Sequence, residues 1–356
     1  MKKNLILFFF STFLIILLLE ISVKIFYPQN FGWYAERDVS GLNILRKNIK
    51  FYHRLYGRNI EYKFGKYNER QTTEYTKKDK VLILGDSFTY GWLVKDKNTY
   101  VHHLQKHFLN YYFVNPSVPG WGTASQVRYV ENYCKSIKPK KIIIMINTDD
   151  IGRAWWSKLY KFKINDFTNP NNNLLVTDNG GQLNYNSKFY KIPFYKFLIK
   201  NSHLFVLIRN AYKNKKSIKK VSERIKINKE IFLIPDDRTS LILDKTSEAN
   251  MLGKMLFLKL KKISNLCGAE LIVIYSGWYD FINNQETYKE SYSTGMFIKN
   301  ASKFFNNNNI KYYDFTSQMK DVHSKFYNYI IPYDYHPNEE GHKIISNNII
   351  KYVKLD

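Results

Sequence analysis

Short apolar runs recur along the chain, and most of them end at a turn or polar residue. The clearest are Val81–Leu84, Ile142–Ile146 and Leu271–Tyr275, and less regular runs lie at Tyr112–Val114 and Ile310–Tyr313. Continuous apolar runs of this length, without alternation, are typical of parallel strands that are buried on both faces. The pattern therefore predicts five strands.

Segments with a helical period separate these runs. Apolar residues recur three and four apart in Ala124–Ile137 and from about Ser247 to Cys267, and Asn98-Thr99 is a candidate cap for a further helix. Residues 292–306 and a last helix opening at Pro337 complete the series. Strand and helix alternate five times, which predicts an open, mostly parallel sheet with helices on both faces. In such sheets ligands bind beyond the carboxyl ends of the strands.

The N-terminus has a different pattern. Lys2 and Lys3 precede the fifteen uncharged residues Leu5–Leu19, and apolar residues continue past Glu20 to Tyr27. A helix over the whole stretch would be about 34 Å long and could cross a membrane, whereas fifteen residues alone match a signal-peptide core. No small-residue cleavage motif follows. Residues 1–27 are therefore predicted to be a retained anchor, with a cleaved signal or a buried globular helix as alternatives.

The lysines before the apolar run predict a cytoplasmic N-terminus, with the rest of the chain in the periplasm or at the cell surface. Residues 28–356 are interpreted as one domain. Within it, residues 151–245 lose the strand–helix rhythm and are predicted to be an insertion or a lid.

Composition narrows the function classes. With 44% hydrophobic and 24% charged residues the chain is globular, and 55 Lys and Arg against 30 Asp and Glu give a net charge of +25. A charge of this sign can favour nucleic-acid binding. However, the lysines are scattered, the sequence contains no recognised nucleic-acid-binding module, and the predicted location outside the cytoplasm does not suit such a partner. No nucleic-acid partner is therefore expected. The chain has only two cysteines, Cys134 and Cys267, which excludes a disulfide framework and a cysteine-rich zinc site. The sequence leaves open whether the two cysteines pair, and two free buried thiols are the simplest expectation.

Three polar segments carry candidate chemistry. Gly85-Asp86-Ser87 follows the first strand, Asn115 through Gly122 follows the second, and Asp334-Tyr335-His336-Pro337-Asn338 precedes the last helix. A serine at a tight strand-to-helix turn is exposed, and an Asp two residues before a His can orient the imidazole as a general base. A glycine such as Gly120 can direct a backbone N–H at an oxyanion. Taken singly, each segment also fits an ordinary turn, cap or polar loop.

A metal site is a weaker interpretation of the same residues. Asp334, His336 and His342 have suitable ligand chemistry, but no further His or Cys cluster completes a site, so no metal is expected. His342 is instead expected on the surface of the last helix.

In combination, the Gly85–Gly91, Asn115–Gly122 and Asp334–His342 segments resemble the GDSL/SGNH hydrolase superfamily. The motifs cover about residues 81–150 and 330–350. The resemblance implies a three-layer α/β/α fold with a flavodoxin-like, five-stranded parallel sheet, and no cofactor. It further implies Ser87 as nucleophile, His336 as base, Asp334 as its orienting partner, and the backbone N–H groups of Ser87 and Gly120 as oxyanion donors.

One block departs from the family pattern. The family ends its third strand block with an Asn-Asp pair whose Asn is an oxyanion donor, whereas this chain reads Asn147-Thr148-Asp149-Asp150. In strict register Asp149 takes the Asn place, where an ionised carboxylate can only accept hydrogen bonds and would repel an oxyanion. Asn147 could substitute if the turn differs, although two residues along a strand are about 7 Å apart. A third possibility is that neither side chain reaches the site.

These observations predict a serine esterase or O-acyltransferase that acts through an acyl-enzyme on Ser87. Its expected substrate is an acylated carbohydrate or lipid of the cell envelope. The alternative, suggested by Asp149, is a catalytically inactive SGNH-like binding or assembly protein at the membrane.

Overall fold

The computed structural model describes residues 2–75, 78–147, 150–157, 159–162, 174–176, 194–212, 246–278, 301–332, 334 and 336–355. The chain divides into two compact units. The first consists of Met1–Tyr34 with Gln182–Ile234, and the second consists of Ala35–Gly181 with Pro235–Asp356.

The second unit begins with two antiparallel hairpins. Strand β1 (Ala35–Arg37) pairs with β2 (Asn43–Leu45), and β3 (Lys50–Leu55) pairs with β4 (Arg58–Lys63). A third antiparallel pair, β8 (Tyr160–Phe162) and β9 (Leu174–Val176), lies within the predicted insertion.

A five-stranded parallel sheet forms the centre of this unit. Its strands are β5 (Asp79–Leu84), β6 (Tyr111–Val114), β7 (Lys141–Ile146), β10 (Glu270–Tyr275) and β11 (Lys311–Asp314). They lie in the order β6-β5-β7-β10-β11, and all four pairings are parallel. All five predicted strands are present within one or two residues of their expected bounds.

Helices cover both faces of the sheet. Helix α3 (Tyr100–His107) packs against α11 (Glu339–Tyr352), while α4 (Thr123–Ile137), α5 (Asp150–Ser157) and α8 (Thr246–Leu266) pack together. The other described helices of this unit are α2 (Ser87–Tyr90), α9 (Ala301–Asn307) and α10 (Lys320–Ser324), with short 3₁₀ turns at Asp96–Asn98, Ser317–Met319 and Phe326–Asn328.

Alternation along the strands explains why two helical layers are needed. Val81, Ile83 and Ile143 share one hydrophobic cluster with Leu104 of α3 and Ile345 of α11. Their neighbours point to the opposite face of the sheet and are also fully buried, namely Leu82, Leu84, Ile142 and Ile144. The predicted three-layer α/β/α fold with its flavodoxin-like parallel sheet is confirmed.

The last helix corrects two expectations. Its N-cap is Asn338, whose side chain accepts hydrogen bonds from two backbone N–H groups, rather than Pro337. His342 is fully buried, not on the surface, because it shares the inward face of α11 with Ile345 and Ile349, three and seven residues on. The helix predicted at 292–306 is described only as Ala301–Asn307, and residues 292–300 lie outside the described residues.

The expectation of two free thiols is wrong. Cys134 near the end of α4 and Cys267 just after α8 form a disulfide, with their Cα atoms 6.2 Å apart. The pairing follows from the packing of α4 against α8, which brings the C-terminal ends of the two helices together. Disulfides persist mainly in oxidising compartments.

The described part of the first unit is helical. It contains α1 (Lys2–Phe26), α6 (Tyr195–Asn201) and α7, which is described over residues 203–212. Among the described residues, the single stretch long and apolar enough to cross a membrane is Lys3–Phe26, with a mean hydropathy of 2.6. An N-terminal helix of this kind is typical of a signal anchor and of a signal sequence alike.

Candidate active site

The candidate site lies where the order of the sheet reverses. From β5 the chain moves to the edge strand β6 and then returns to β7 on the other side of β5. In parallel sheets this switch opens a crevice at the carboxyl ends of the two central strands. Ser87 begins α2 three residues after β5 ends, and Asn147 directly follows β7.

The turn that carries Ser87 is fixed by its neighbours. A Cβ atom on Gly85 would lie 1.9 Å from Thr89 Oγ1, so a side chain there would collide with the first turn of α2. The Asp86 carboxylate caps α2 by accepting a hydrogen bond from the Phe88 N–H at 2.9 Å. Gly91 ends the helix with a φ of 77°, a left-handed conformation that favours glycine.

Ser87, His336 and Asp334 form a linked chain of hydrogen bonds. His336 Nε2 lies 2.7 Å from Ser87 Oγ, and His336 Nδ1 is bonded to Asp334 Oδ1. A carboxylate at Nδ1 favours a proton on that nitrogen, which leaves the Nε2 lone pair directed at the serine hydroxyl. The structure thus brings together all three residues that the sequence singled out.

The loop that carries Asp334 and His336 is held at both ends. The His336 carbonyl accepts from the Ile331 N–H at 2.8 Å, and the Asp334 N–H donates to the Ile331 carbonyl at 3.0 Å. Directly after the loop, the Asn338 amide donates to the Ile330 carbonyl at 3.1 Å. The His336 imidazole therefore contacts Ser87 from a turn that backbone hydrogen bonds hold in place, although the two residues are 249 positions apart in the sequence.

Trp92 is a member of the site that sequence reasoning missed. Its indole Nε1–H donates to Asp334 Oδ2 at 2.8 Å. The segment that carries it is anchored by Arg70, whose fully buried guanidinium donates to the carbonyls of Tyr90, Gly91 and Val94 and pairs with Asp96. No local signal marks Trp92, because its partner lies 242 residues along the chain.

A half-buried histidine lies next to this tryptophan. The His53 ring of β3 is 4.3 Å from the Trp92 ring between centroids. Burial lowers the pKa of His53 to about 4, so this imidazole is neutral at physiological pH.

The side chain of Asn147 links the ends of three strands. Its Nδ2 donates to Asp86 Oδ1 at 2.9 Å, and its Oδ1 accepts from the Ser276 hydroxyl just after β10. Arg153 of α5 completes this cluster by donating to Asp86 Oδ2 at 2.9 Å. Ser276 and Arg153 are further residues that the sequence did not indicate. Together these contacts fix the buried Asp86 beside the nucleophile.

The loop after β6 is bonded to the same turn. The Asn115 amide donates to the Thr89 carbonyl at 2.6 Å, and Ser117 Oγ accepts from the Gly85 N–H at 3.0 Å. Gly120 lies at the exposed tip of this loop with a φ of 86°. Asp149 lies outside the described residues. Among the residues that are described, no group of three or more His, Cys, Asp and Glu side chains is placed to hold a metal ion.

The arrangement has a definite chemical capacity. An imidazole oriented by a carboxylate and bonded to a serine hydroxyl can take the serine proton and later return it to a leaving group. The surrounding hydrogen bonds keep these groups in place.

No protein-family model matches the chain, and no curated protein matches it. Among solved structures it is similar to a lipolytic G-D-S-L family protein from Veillonella parvula, with 11% identity, a TM-score of 0.40, and coverage of 77% of this chain and 97% of the other.

Two further solved structures are an esterase from Pseudoalteromonas and an acetyl xylan esterase. The Pseudoalteromonas enzyme shares 11% identity, with a TM-score of 0.37 and coverage of 77% of this chain and 95% of that one. The acetyl xylan esterase also shares 11% identity, with a TM-score of 0.40 and coverage of 77% and 100%. Two of the similar structures are described as lipolytic proteins of the G-D-S-L family.

Proposed function

We propose that the protein is a serine esterase of the SGNH type that acts on acylated substrates. The observation that carries the proposal is the hydrogen-bonded chain from Asp334 through His336 to Ser87. In the proposed reaction Ser87 Oγ attacks the ester carbonyl while its proton moves to His336 Nε2. The C–O bond to the alcohol then breaks, the alcohol leaves with that proton, and an acyl-enzyme remains on Ser87.

Deacylation repeats the same proton transfers. A water molecule gives up its proton to His336 and attacks the acyl carbonyl, which releases the acid and restores Ser87. A sugar hydroxyl in place of water would make the protein an O-acyltransferase. The backbone N–H groups of Ser87 and Gly120 are the proposed oxyanion donors, with a side-chain contribution from the Asn147–Asp149 segment.

The proposed setting is the outer face of a membrane. The apolar helix Lys3–Phe26, preceded by Lys2, supports an anchored protein whose large unit is extracytoplasmic. The disulfide between Cys134 and Cys267 supports an oxidising compartment. An acylated envelope carbohydrate or lipid is the substrate class that suits this location.

Labelling with a fluorophosphonate tests the mechanism directly, because this probe modifies a serine that a neighbouring base activates. We expect the full-length protein to be labelled and to hydrolyse p-nitrophenyl acetate. Ser87→Ala should abolish labelling and turnover, and His336→Ala should do nearly the same. Matched controls are Ser136→Ala and His107→Ala, which alter exposed residues of α4 and α3.

The outcome separates the esterase from the alternative. Wild-type turnover in Ser87→Ala would rule out the serine mechanism. A folded protein that neither reacts with the probe nor hydrolyses the ester would favour the inactive binding or assembly protein, which the carboxylate of Asp149 in place of an Asn suggests.

Carbonate extraction and protease treatment of spheroplasts test the location. We expect the protein to stay with the membrane after extraction, and its large unit to be digested from outside. A shielded large unit would reverse the proposed topology, and a soluble, shortened product would indicate cleavage after the N-terminal helix.

A further inference from the structure

Glu20 is an acidic residue within the apolar helix α1, and its carboxylate accepts three hydrogen bonds. The Glu20 carboxylate accepts hydrogen bonds from the Ser202 hydroxyl at 2.7 Å and from the backbone N–H groups of His203 at 2.7 Å and Leu204 at 2.9 Å. These N–H groups belong to the first turn of α7, which has no intrahelical partners for them. Glu20 therefore caps α7 from a different helix, at the end where the helix dipole favours a negative charge.

The position of Glu20 sets the level of α7 along the anchor. Glu20 lies six residues before Phe26, the last residue of α1. At 1.5 Å per residue this is about 9 Å inside the end of the helix. A carboxylate at that depth in a bilayer is tolerated only when it has partners or reaches water. The contact with α7 supplies these partners and holds the start of α7 at the same level.

Further contacts join α7 to the residues that follow α1. The Gln29 N–H donates to His203 Nδ1 at 2.9 Å, and the rings of Phe31 and His203 lie 4.4 Å apart. About two helical turns after His203, the side-chain amide of Asn210 donates to Gln29 Oε1 at 3.5 Å. Helix α7 is thus attached to the anchor and to the segment just beyond it at several points.

Exposed apolar side chains lie on α6, on α7 and on the residue directly before α6. Phe194 is 79% exposed, Phe197 is 63% exposed and Ile208 is 60% exposed. Phe194 is the N-cap residue of α6, and Phe197 lies in the first turn of that helix. The exposed Lys200 lies on the same helix, and aromatic and aliphatic side chains flanked by basic residues are typical of helices that lie in the membrane interface.

We propose that α6 and α7 form a membrane-interface surface, in which Phe194, Phe197 and Ile208 enter the lipid leaflet from which α1 emerges. The occupant is the bilayer because Glu20 ties α7 to a level inside the predicted span, which leaves the exposed apolar side chains next to lipid. The net charge of +25 adds attraction to anionic headgroups. The inference rests on the proposed retention of α1 as an anchor and is independent of the proposed esterase activity.

Site-directed spin labelling measures this directly. The full-length protein carries Phe197→Cys or Ile208→Cys, is labelled with a nitroxide, and is reconstituted into vesicles of phosphatidylcholine and phosphatidylglycerol. The two native cysteines form the disulfide and do not take up the label. We expect collisions with oxygen, which concentrates in lipid, to exceed those with a water-soluble nickel chelate several-fold. The matched control is Leu109→Cys, a 64% exposed apolar residue of the second unit, where the chelate should dominate.

A second variant tests the role of the cap. Glu20→Ala removes the acceptor for the three hydrogen bonds, so the labels at positions 197 and 208 should become more accessible to the chelate, while the label at position 109 does not change. A Glu20→Ala protein whose labels keep their lipid-like accessibility would show that the cap does not set the level of α7.

The remaining outcomes separate this inference from the anchor on which it rests. Chelate accessibility at positions 197 and 208 equal to that at position 109, in a protein that resists carbonate extraction, would overturn the interface surface and keep the anchor. Labels shielded from both oxygen and chelate would overturn it in favour of a protein partner or a second copy. A shortened soluble product would overturn the anchor and the surface together.

Discussion

The indole of Trp92 donates to Oδ2 of Asp334 at 2.8 Å, on the opposite oxygen from the one that is bonded to His336. A carboxylate held at both oxygens has a fixed plane, so its hydrogen bond fixes the plane of the imidazole as well. Trp92 in turn belongs to the segment that the buried Arg70 anchors. The orientation of the base therefore depends on residues outside the hydrogen-bonded chain of Ser87, His336 and Asp334.

Replacing Trp92 tests this positioning role. Trp92→Phe keeps an aromatic ring and removes the N–H donor, which leaves Asp334 Oδ2 without that hydrogen bond. Because a hydrogen bond to a charged group contributes about 1.5–3 kcal/mol, we expect kcat to fall by about ten- to a hundredfold with little change in KM.

The control for this experiment is Trp33→Phe, which alters an exposed tryptophan of the first unit. A merely structural role for Trp92 would lower the thermal stability without lowering kcat at temperatures where the variant is folded. An unchanged kcat in folded Trp92→Phe would contradict the positioning role.

The disulfide should stabilise the second unit without affecting catalysis. It joins the C-terminal ends of α4 and α8, just before β7 and β10 begin, and therefore lies at the edge of the sheet opposite to Ser87. It closes a loop with a sequence separation of 133 residues. We expect the double variant Cys134→Ala/Cys267→Ala to lose about 2–5 kcal/mol of unfolding free energy, measured by denaturant titration, and to keep its turnover at low temperature.

Reductant provides the internal control. It should lower the melting temperature of the wild type and leave that of the double variant unchanged. Two titratable thiols in the unfolded, unreduced wild type would refute the disulfide.

Stability should decrease in acid because of a buried neutral histidine. His342 is fully buried, and this burial lowers its pKa to about 3, whereas the unfolded value is about 6.5. Between these values the unfolded chain binds a proton that the folded chain does not. The stabilising contribution is therefore complete above about pH 6.5 and is lost as the pH falls towards 3, at up to about 1.4 kcal/mol per pH unit.

In the wild type, the Tyr100 N–H donates a hydrogen bond to His342 Nδ1 at 3.3 Å. The variant His342→Asn keeps a side-chain acceptor at this position. We expect a lower free energy of unfolding at pH 7 and a flatter decrease between pH 6.5 and 5. The exposed His107→Asn should retain the wild-type slope. Parallel slopes for wild type and His342→Asn would contradict the assignment.

The predictable features of this protein are those with a local signal. The strands β5, β7 and β10 could be predicted because strands buried on both faces need continuous apolar runs, such as Ile142–Ile146. Ser87 and the Asp334–His336 pair could be predicted because each sits in a short motif at a turn. The spacing of His342 to Ile345 and Ile349 indicates the buried face of the helix, whereas its polar side chain favours the surface. The spacing is the correct signal.

Long-range contacts account for what the sequence did not reveal. Trp92 meets Asp334 across 242 residues, and Glu20 meets Ser202 across 182. A tryptophan after a turn and a glutamate in an apolar helix have no local pattern that names their partners. Only the packing of distant segments creates these contacts, so a single sequence could not supply them.

The departure at the third block gives the last prediction. Asp150 begins α5, and its Oδ2 accepts from the Asn147 N–H at 3.0 Å, which closes the turn after β7. If Asp150 corresponds to the Asp of the family's Asn-Asp pair, then Asp149 corresponds to the Asn that binds the oxyanion. The Asn147 amide meanwhile donates to Asp86 and accepts from Ser276, contacts that stabilise the nucleophile turn.

We therefore expect Asp149→Asn to raise kcat/KM for a short aryl ester. The change removes a negative charge that opposes the oxyanion and adds an N–H donor, a type of contact worth about 10²–10³ in turnover. Asn147→Ala should instead lower the free energy of unfolding by about 1–3 kcal/mol, because it removes one hydrogen-bond partner from the buried Asp86 and one from the buried Ser276.

Measuring both quantities in both variants distinguishes the two registers. If Asn147 is the oxyanion donor, Asn147→Ala loses 10²–10³ in turnover beyond what its stability explains, and Asp149→Asn changes little. If neither side chain reaches the oxyanion, neither variant changes kcat/KM beyond its effect on stability, and the Ser87 and Gly120 N–H groups remain as the donors. A rise in Asp149→Asn alone assigns the inhibitory carboxylate to Asp149 and means that the natural protein works below the capacity of its own site.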